Sequence, residues 1–94
     1  MKLALGTYFF LLDAIRRHRH EHGGKLPMGF RLPPAVLADL QIDPDMPPGS
    51  LCLIDPMNRP QGAPHYLLCG LPVRVDTRCN APLIVTCWGK DEPI

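Results

Sequence analysis

The sequence predicts an α+β fold in which an N-terminal amphipathic helix and a short second helix pack on a small mixed or antiparallel β-sheet. Three observations carry that prediction. Apolar residues recur at Leu5, Tyr8, Phe9, Leu12 and Ile15, the spacing that gives a helix one oily stripe. A second helical pattern opens at the proline pair Pro33-Pro34. The remainder consists of short apolar runs between prolines, twelve in the chain and the first at residue 27. Such punctuation builds short strands joined by rigid connections, and the order helix, strand, helix, strands is that of an α+β domain.

Taken in order, the first helix falls at 7–22, with Thr7 as its N-cap. Leu5, Phe9, Leu12 and Ile15 are expected to face the sheet, while Arg16, Arg19 and His20 emerge into solvent. Gly23-Gly24 ends it, and the basic residues of its last turns suit the negative end of the helix dipole. Residues 25–32 alternate apolar side chains at Met28, Phe30 and Leu32, a half-buried strand stopped by Pro33-Pro34. Pro34 fits the first position of a helix over 34–40, with Val36, Leu37 and Leu40 turned inward. Pro44, Pro47 and Pro48 make 42–49 a loop. Strands follow at 50–55, 65–69, 71–75 and 83–88, and 56–64 is a turn-rich excursion containing Gly62. The apolar run over 66–76, broken once by Gly70-Leu71-Pro72, reads as a kinked strand. Pro72 and Pro82 read as devices that limit pairing at sheet edges, and the unbroken run over 83–88 as a central strand.

Ninety-four residues make one domain, 1–94, able to bury a modest core. A composition that is 46% hydrophobic and 20% charged is ordinary, and a net charge of +1 argues against nucleic acid or a membrane as a bulk partner. The charge is unevenly placed. Residues 1–25 hold five basic side chains against two acidic ones, and residues 26–94 hold five against seven, so a basic helix sits on a mildly acidic body. Cys52, Cys69, Cys79 and Cys87 include no C-x-x-C pair and are expected to be reduced, buried thiols without zinc. Lys2 precedes an apolar run from Leu3 to Leu12, but Asp13-Ala14-Ile15-Arg16-Arg17 follows where a cleavage site would stand, and the run is too short to span a bilayer. A reducing, cytoplasmic setting is the expectation.

His18-Arg19-His20-Glu21-His22 is the cluster with ligand chemistry. His18 and His22 stand at i, i+4 on one helical face, a spacing that lets two imidazoles share a metal. The order is not H-E-x-x-H, and a third ligand would have to come from His65 or a cysteine far along the chain. The expected state is a solvated, basic helix end with no metal, His18 and His22 being the residues that would hold one. Arg16, Arg17, Arg19 and Lys25 lack the stacking aromatics of nucleic-acid sites on their face and suit an acidic protein instead. No G-x-S-x-G elbow or positioned acid–base pair is present, and Gly23-Gly24 follows a helix where a phosphate loop would precede one. An enzyme is therefore not expected. Asp55 and Asp76 read as turn formers. Trp88 and the proline loops at 44–48 and 56–64 offer a recognition surface, so the expected partner-binding residues are Arg16, Arg19, His20 and Trp88.

Two stretches carry a family resemblance. Phe30-Arg31-Leu32-Pro33-Pro34, leading into Ala35 to Leu40, has the F-x-[LM]-x-P character of a strand entering a helix. Leu68-Cys69-Gly70-Leu71-Pro72-Val73-Arg74-Val75-Asp76, within the stretch from Leu67, matches L-x-G-x-P-V-x-V-D. In that order they resemble the axial domain of tailed-phage major capsid proteins. The arm, the long spine helix and the extended loop of those proteins have no counterpart here, so the chain would not tile a shell by itself. The resemblance implies a small phage or prophage protein, non-enzymatic, acting by protein–protein association with itself or a virion protein. An inhibitor of a host defence or regulatory protein is the alternative, and a metal-dependent enzyme using the His18/His22 face is third. No cofactor, specific nucleic acid or membrane is implied, a homo-oligomer is allowed, and the location would be host cytoplasm or virion.

Overall fold

A computed structural model describes residues 6–54, 57 and 64–94. Within them the elements run α1 (Thr7–Glu21), β1 (Gly29–Leu32), α2 (Pro34–Gln41), β2 (Leu51–Leu53), β3 (Tyr66–Leu68), β4 (Leu71–Val75), β5 (Leu83–Val85) and β6 (Asp91–Pro93). The six strands form one mixed sheet in the order β2-β3-β4-β1-β5-β6, and the α+β class is as expected. Parallel pairing of β1 with β4 sets Phe30 beside Val73, and antiparallel pairing of β1 with β5 sets Phe30 beside Ile84. These three residues line up across the sheet and are buried, with Tyr8, Leu11 and Ala14 of α1 and Leu40 of α2 packed in the same core.

The inward face of α1 is rotated from the expected stripe. Thr7, Tyr8, Leu11, Ala14 and His18 are buried, Leu12 and Ile15 are only half-buried against the core, and Phe9 is 46% exposed. Leu5 lies outside the described residues. Two overlapping stripes exist in this sequence, and the small Ala14 lets the helix approach on the one that contains Leu11. Thr7 is not the N-cap; Gly6 holds that position without a side-chain bond. The cap comes from elsewhere in the chain. Asp43, just after α2, accepts the Tyr8 backbone N–H on Oδ2 at 2.8 Å and the Asp45 N–H on Oδ1 at 3.0 Å. A carboxylate at a helix N-terminus satisfies an orphan donor and meets the positive end of the dipole, and here it also ties the 42–49 loop to α1.

β1 is shorter than expected, beginning at Gly29, and Met28 just before it is 56% exposed although its N–H reaches the Val85 carbonyl at 2.8 Å. Gly29 is required by its neighbour. A Cβ there would stand 2.2 Å from the Pro72 carbonyl oxygen, and its φ of 153° lies where side chains are disfavoured. α2 starts as read, with Pro33 at the N-cap, Pro34 at the first turn, Leu37 and Leu40 buried, and Val36 packed beside them.

The expected kinked strand over 66–76 is a hairpin. Cys69 and Gly70 have φ of 50° and 83° and join β3 to β4 as a two-residue turn with both central residues left-handed, the type I′ geometry that matches strand twist. Leu67 then pairs with Pro72, which places Pro72 in an interior strand and not at an edge. β5 is an interior strand, flanked by β1 and β6, but it stops at Val85 because the chain turns at residues 86–90 and returns as β6. Thr86 closes that turn through its N–H to the Lys90 carbonyl at 2.8 Å and its Oγ1 accepting the Lys90 N–H at 3.2 Å.

The cysteines are not buried as a group: Cys52 and Cys69 are exposed and Cys79 and Cys87 are half-buried. Cys52 pairs with Leu67 across the sheet, one place away from core-facing Leu68, and Cys69 occupies a turn. Partial burial and then the nearby Asp76 charge push the Cys79 thiol up from its usual range. On the face away from the helices, Arg31 sits 3.6 Å from both Asp76 and Asp91. Asp76 accepts the Arg78 N–H at 2.9 Å, the turn role expected of it, whereas Asp55 lies outside the described residues.

Candidate interaction surface and histidine cluster

The last turns of α1, the segment leading into β1 and the 86–90 turn meet at one end of the molecule. His18 is at the centre of that junction. It is 4% exposed, so the expected solvated histidine face does not hold for it. Its Nδ1–H donates to the Lys25 carbonyl at 3.0 Å, and its Nε2 accepts the Cys87 backbone N–H at 3.1 Å. A carbonyl can only accept and an amide can only donate, so the tautomer is fixed with hydrogen on Nδ1. One side chain thus binds the helix, the strand-leading segment and the distal turn together. Burial follows from position, because His18 continues the Leu11–Ala14 stripe by one turn.

His22 caps the helix and stacks on His18, ring centroids 4.0 Å apart and planes 11° apart. Its Nδ1–H donates to the His18 carbonyl at 2.8 Å. Trp88 meets the His22 ring edge-on at 5.1 Å and is otherwise open, 76% exposed. Cys87 joins the same cluster: donor atoms of His18, His22 and Cys87 all lie within 4.8 Å of one another. His65 does not take part. It precedes β3, where its Nδ1 accepts the Val75 N–H at 3.5 Å.

The basic residues divide into two kinds. Asp13 ion-pairs with Arg16 and, at 3.0 Å, with Arg17, and those cations hold the Asp13 carboxyl below its ordinary value. Arg16 is exposed, but its charge is answered on its own helix. Arg19 and His20 are exposed and make no ion pair among the described residues. Two further apolar side chains are exposed on the segment leading into β1, which the sequence did not announce. The Met28 sulfur lies 3.8 Å from where a Gly89 Cβ would stand, and Leu26 of the same segment is 54% exposed. Met28 and Leu26 were missed because an alternating run is read as strand, with one side assigned to the core. That the distant cysteine beside the histidines is Cys87 was not legible, because a donor 69 residues from His18 has no local spacing to betray it.

The proline loop at 56–64 falls largely outside the described residues, and the 44–48 loop is exposed apart from half-buried Met46. Among the described residues no helix is long and apolar enough to cross a membrane. Compared with known protein families, curated proteins and solved structures, the chain finds no match in any of the three.

Proposed function

We infer that this protein works by association with a protein partner, through the surface built around Trp88, and that it is not an enzyme. One observation carries the reading: the chain's one tryptophan is 76% exposed and meets His22 edge-on, and Met28, itself 56% exposed, comes close to the neighbouring Gly89. Tryptophan at the centre of a surface patch is the commonest anchor of binding energy. Its ring is held by the histidine stack, so little freedom is lost on docking. Arg19 and His20, on the last turns of the same helix, favour a partner with an acidic rim and act chiefly on the rate of encounter.

The partner class we propose is a virion component or a second copy of this chain, on the strength of the resemblance of the Phe30–Leu40 and Leu67–Asp76 stretches to the capsid axial domain. A host defence or regulatory protein is the second reading, and the positive charge of Arg19, which makes no ion pair among the described residues, is what favours it. Titration of candidate partners, starting with the protein against itself by sedimentation, is followed by tryptophan emission, which reports Trp88 without interference from another indole. Binding should shift the emission to the blue. Trp88→Ala should weaken the complex by about 2 kcal/mol or more, roughly thirtyfold, with the melting temperature preserved. Arg19→Glu should weaken it in a salt-sensitive way. Arg19 is the better reversal than Arg16, whose loss would also strip Asp13 of one of its two partners. Association untouched by both substitutions defeats the reading.

A further inference from the structure

We propose that His18, His22 and Cys87 form a binding site for a divalent cation of the zinc class. The site departs from the expectation of zinc-free cysteines, which rested on local spacing, and it does not depend on the docking role of Trp88. Three donors from two distant parts of the chain converge within 4.8 Å. Both imidazoles are already held as ligands are held. Each gives its Nδ1–H to a backbone carbonyl, of Lys25 for His18 and of His18 for His22, which leaves the lone pair of each on Nε2. Imidazole and thiolate donors together suit zinc and exclude the oxygen-seeking magnesium and calcium.

Zinc holds nitrogen at about 2.0–2.1 Å and thiolate sulfur at about 2.3 Å, so the donors close on a common centre by about 1 Å. The 86–90 turn is the part that moves. It is a hairpin tip, whereas the histidines belong to the packed end of α1. The His18 lone pair now accepts the Cys87 N–H at 3.1 Å. On binding, the metal takes that lone pair, the Cys87 thiol gives its proton to solvent, the thiolate becomes the third ligand, and the amide turns outward. A recess of about 70 Å³ lined by Arg17, His18, His22 and Glu92 adjoins the cluster. A single water needs only about 10–15 Å³, so a water can complete a tetrahedron. Arg17 does not repel the ion with a bare charge, being paired with Asp13 at 3.0 Å.

The test is a titration of the reduced, full-length protein with Co²⁺, then with Zn²⁺ as competitor, read by absorption. One equivalent should give tetrahedral visible bands and a thiolate-to-cobalt band in the near ultraviolet, and zinc should erase both. Cys87→Ser should abolish the thiolate band and weaken binding at least as much as the loss of an outer-shell partner does, about 10–100-fold. His22→Gln should weaken it similarly. His20→Gln, on the exposed side of the helix, should change nothing. Both ligand variants are first shown to melt like the parent, and His18 is left intact because it holds the fold. Absence of the thiolate band, equal affinity in Cys87→Ser, or dependence on His20 overturns the proposal, the last marking adventitious chelation by the helix end.

Discussion

Replacing His18 by Leu removes the one imidazole that fastens three segments. Leucine keeps most of the volume, so the change removes hydrogen bonds without opening a large cavity. Two groups lose their partner: the Lys25 carbonyl and the Cys87 N–H. An unsatisfied buried polar group costs about 1–3 kcal/mol. Lys25 is exposed and its carbonyl can turn to water, so the lower end applies there, while the half-buried Cys87 amide is less easily rescued. The sum is about 2–4 kcal/mol. For a domain of this size even about 2 kcal/mol lowers the melting temperature by about 8–16 °C. Calorimetry or a circular-dichroism melt measures the total, and amide hydrogen exchange locates it: protection at Cys87 should fall before protection in β4. A His18→Leu protein that melts within about 3 °C of the parent, with the Cys87 amide still protected, would refute the staple.

Other expectations follow from the same geometry. Asp43→Ala removes the carboxylate that caps α1 from a distance and should cost about 0.5–2 kcal/mol in urea unfolding, with an unchanged m-value. Leu11→Ala should cost about 2–5 kcal/mol, since Leu11 has no exposure, and more than Leu12→Ala; the reverse order would restore the stripe first read from the sequence. The Arg78 N–H, helped by the charges of Arg78 and Arg31, holds the Asp76 carboxyl below its ordinary 3.8. Its contribution is therefore present above pH 3.8 and is lost as pH falls through the lower, folded-state value. Asp76→Asn should flatten the acid limb of a stability-versus-pH curve, and an identical limb would show that Asp76 is not responsible.

Local signals carried the parts of this fold that local chemistry determines. Pro33-Pro34 marked the start of α2 because proline's fixed φ and missing N–H suit only a helix's first turn, and Gly23-Gly24 marked the end of α1. What failed was decided at a distance. Phe9 and Leu11 are equally good core residues by type, and only the sheet that α1 meets selects between them. Cys69-Gly70 passed for an interruption within one strand, because no nearby residue says that the chain reverses there. The run over 83–88 looked continuous although Gly89 stood just beyond it, and the turn that begins at Thr86 hid both β6 and the place of Cys87. Among the site residues, the exposed Arg19, His20 and Trp88 were legible as surface chemistry. The burial of His18 was not, since a histidine on a basic helix end gives no sign of the carbonyl and amide that await it.

The middle of the sheet has a consequence for the order of events in folding. β1 has neighbours on both sides, β4 and β5, and both come more than forty residues later in the chain. As the polypeptide is made, Phe30 and Leu32 have no strand to pair with until the β3–β4 hairpin has appeared. That hairpin is local, closed by a two-residue turn, and is the natural first piece. The closure of β1 onto it carries most of the loop entropy and sets the rate. Until then a short apolar strand stands with both edges open. Substitutions that weaken the Cys69-Gly70 turn should accordingly slow folding and promote aggregation, and those in the edge strand β6 should act mainly on the rate of unfolding.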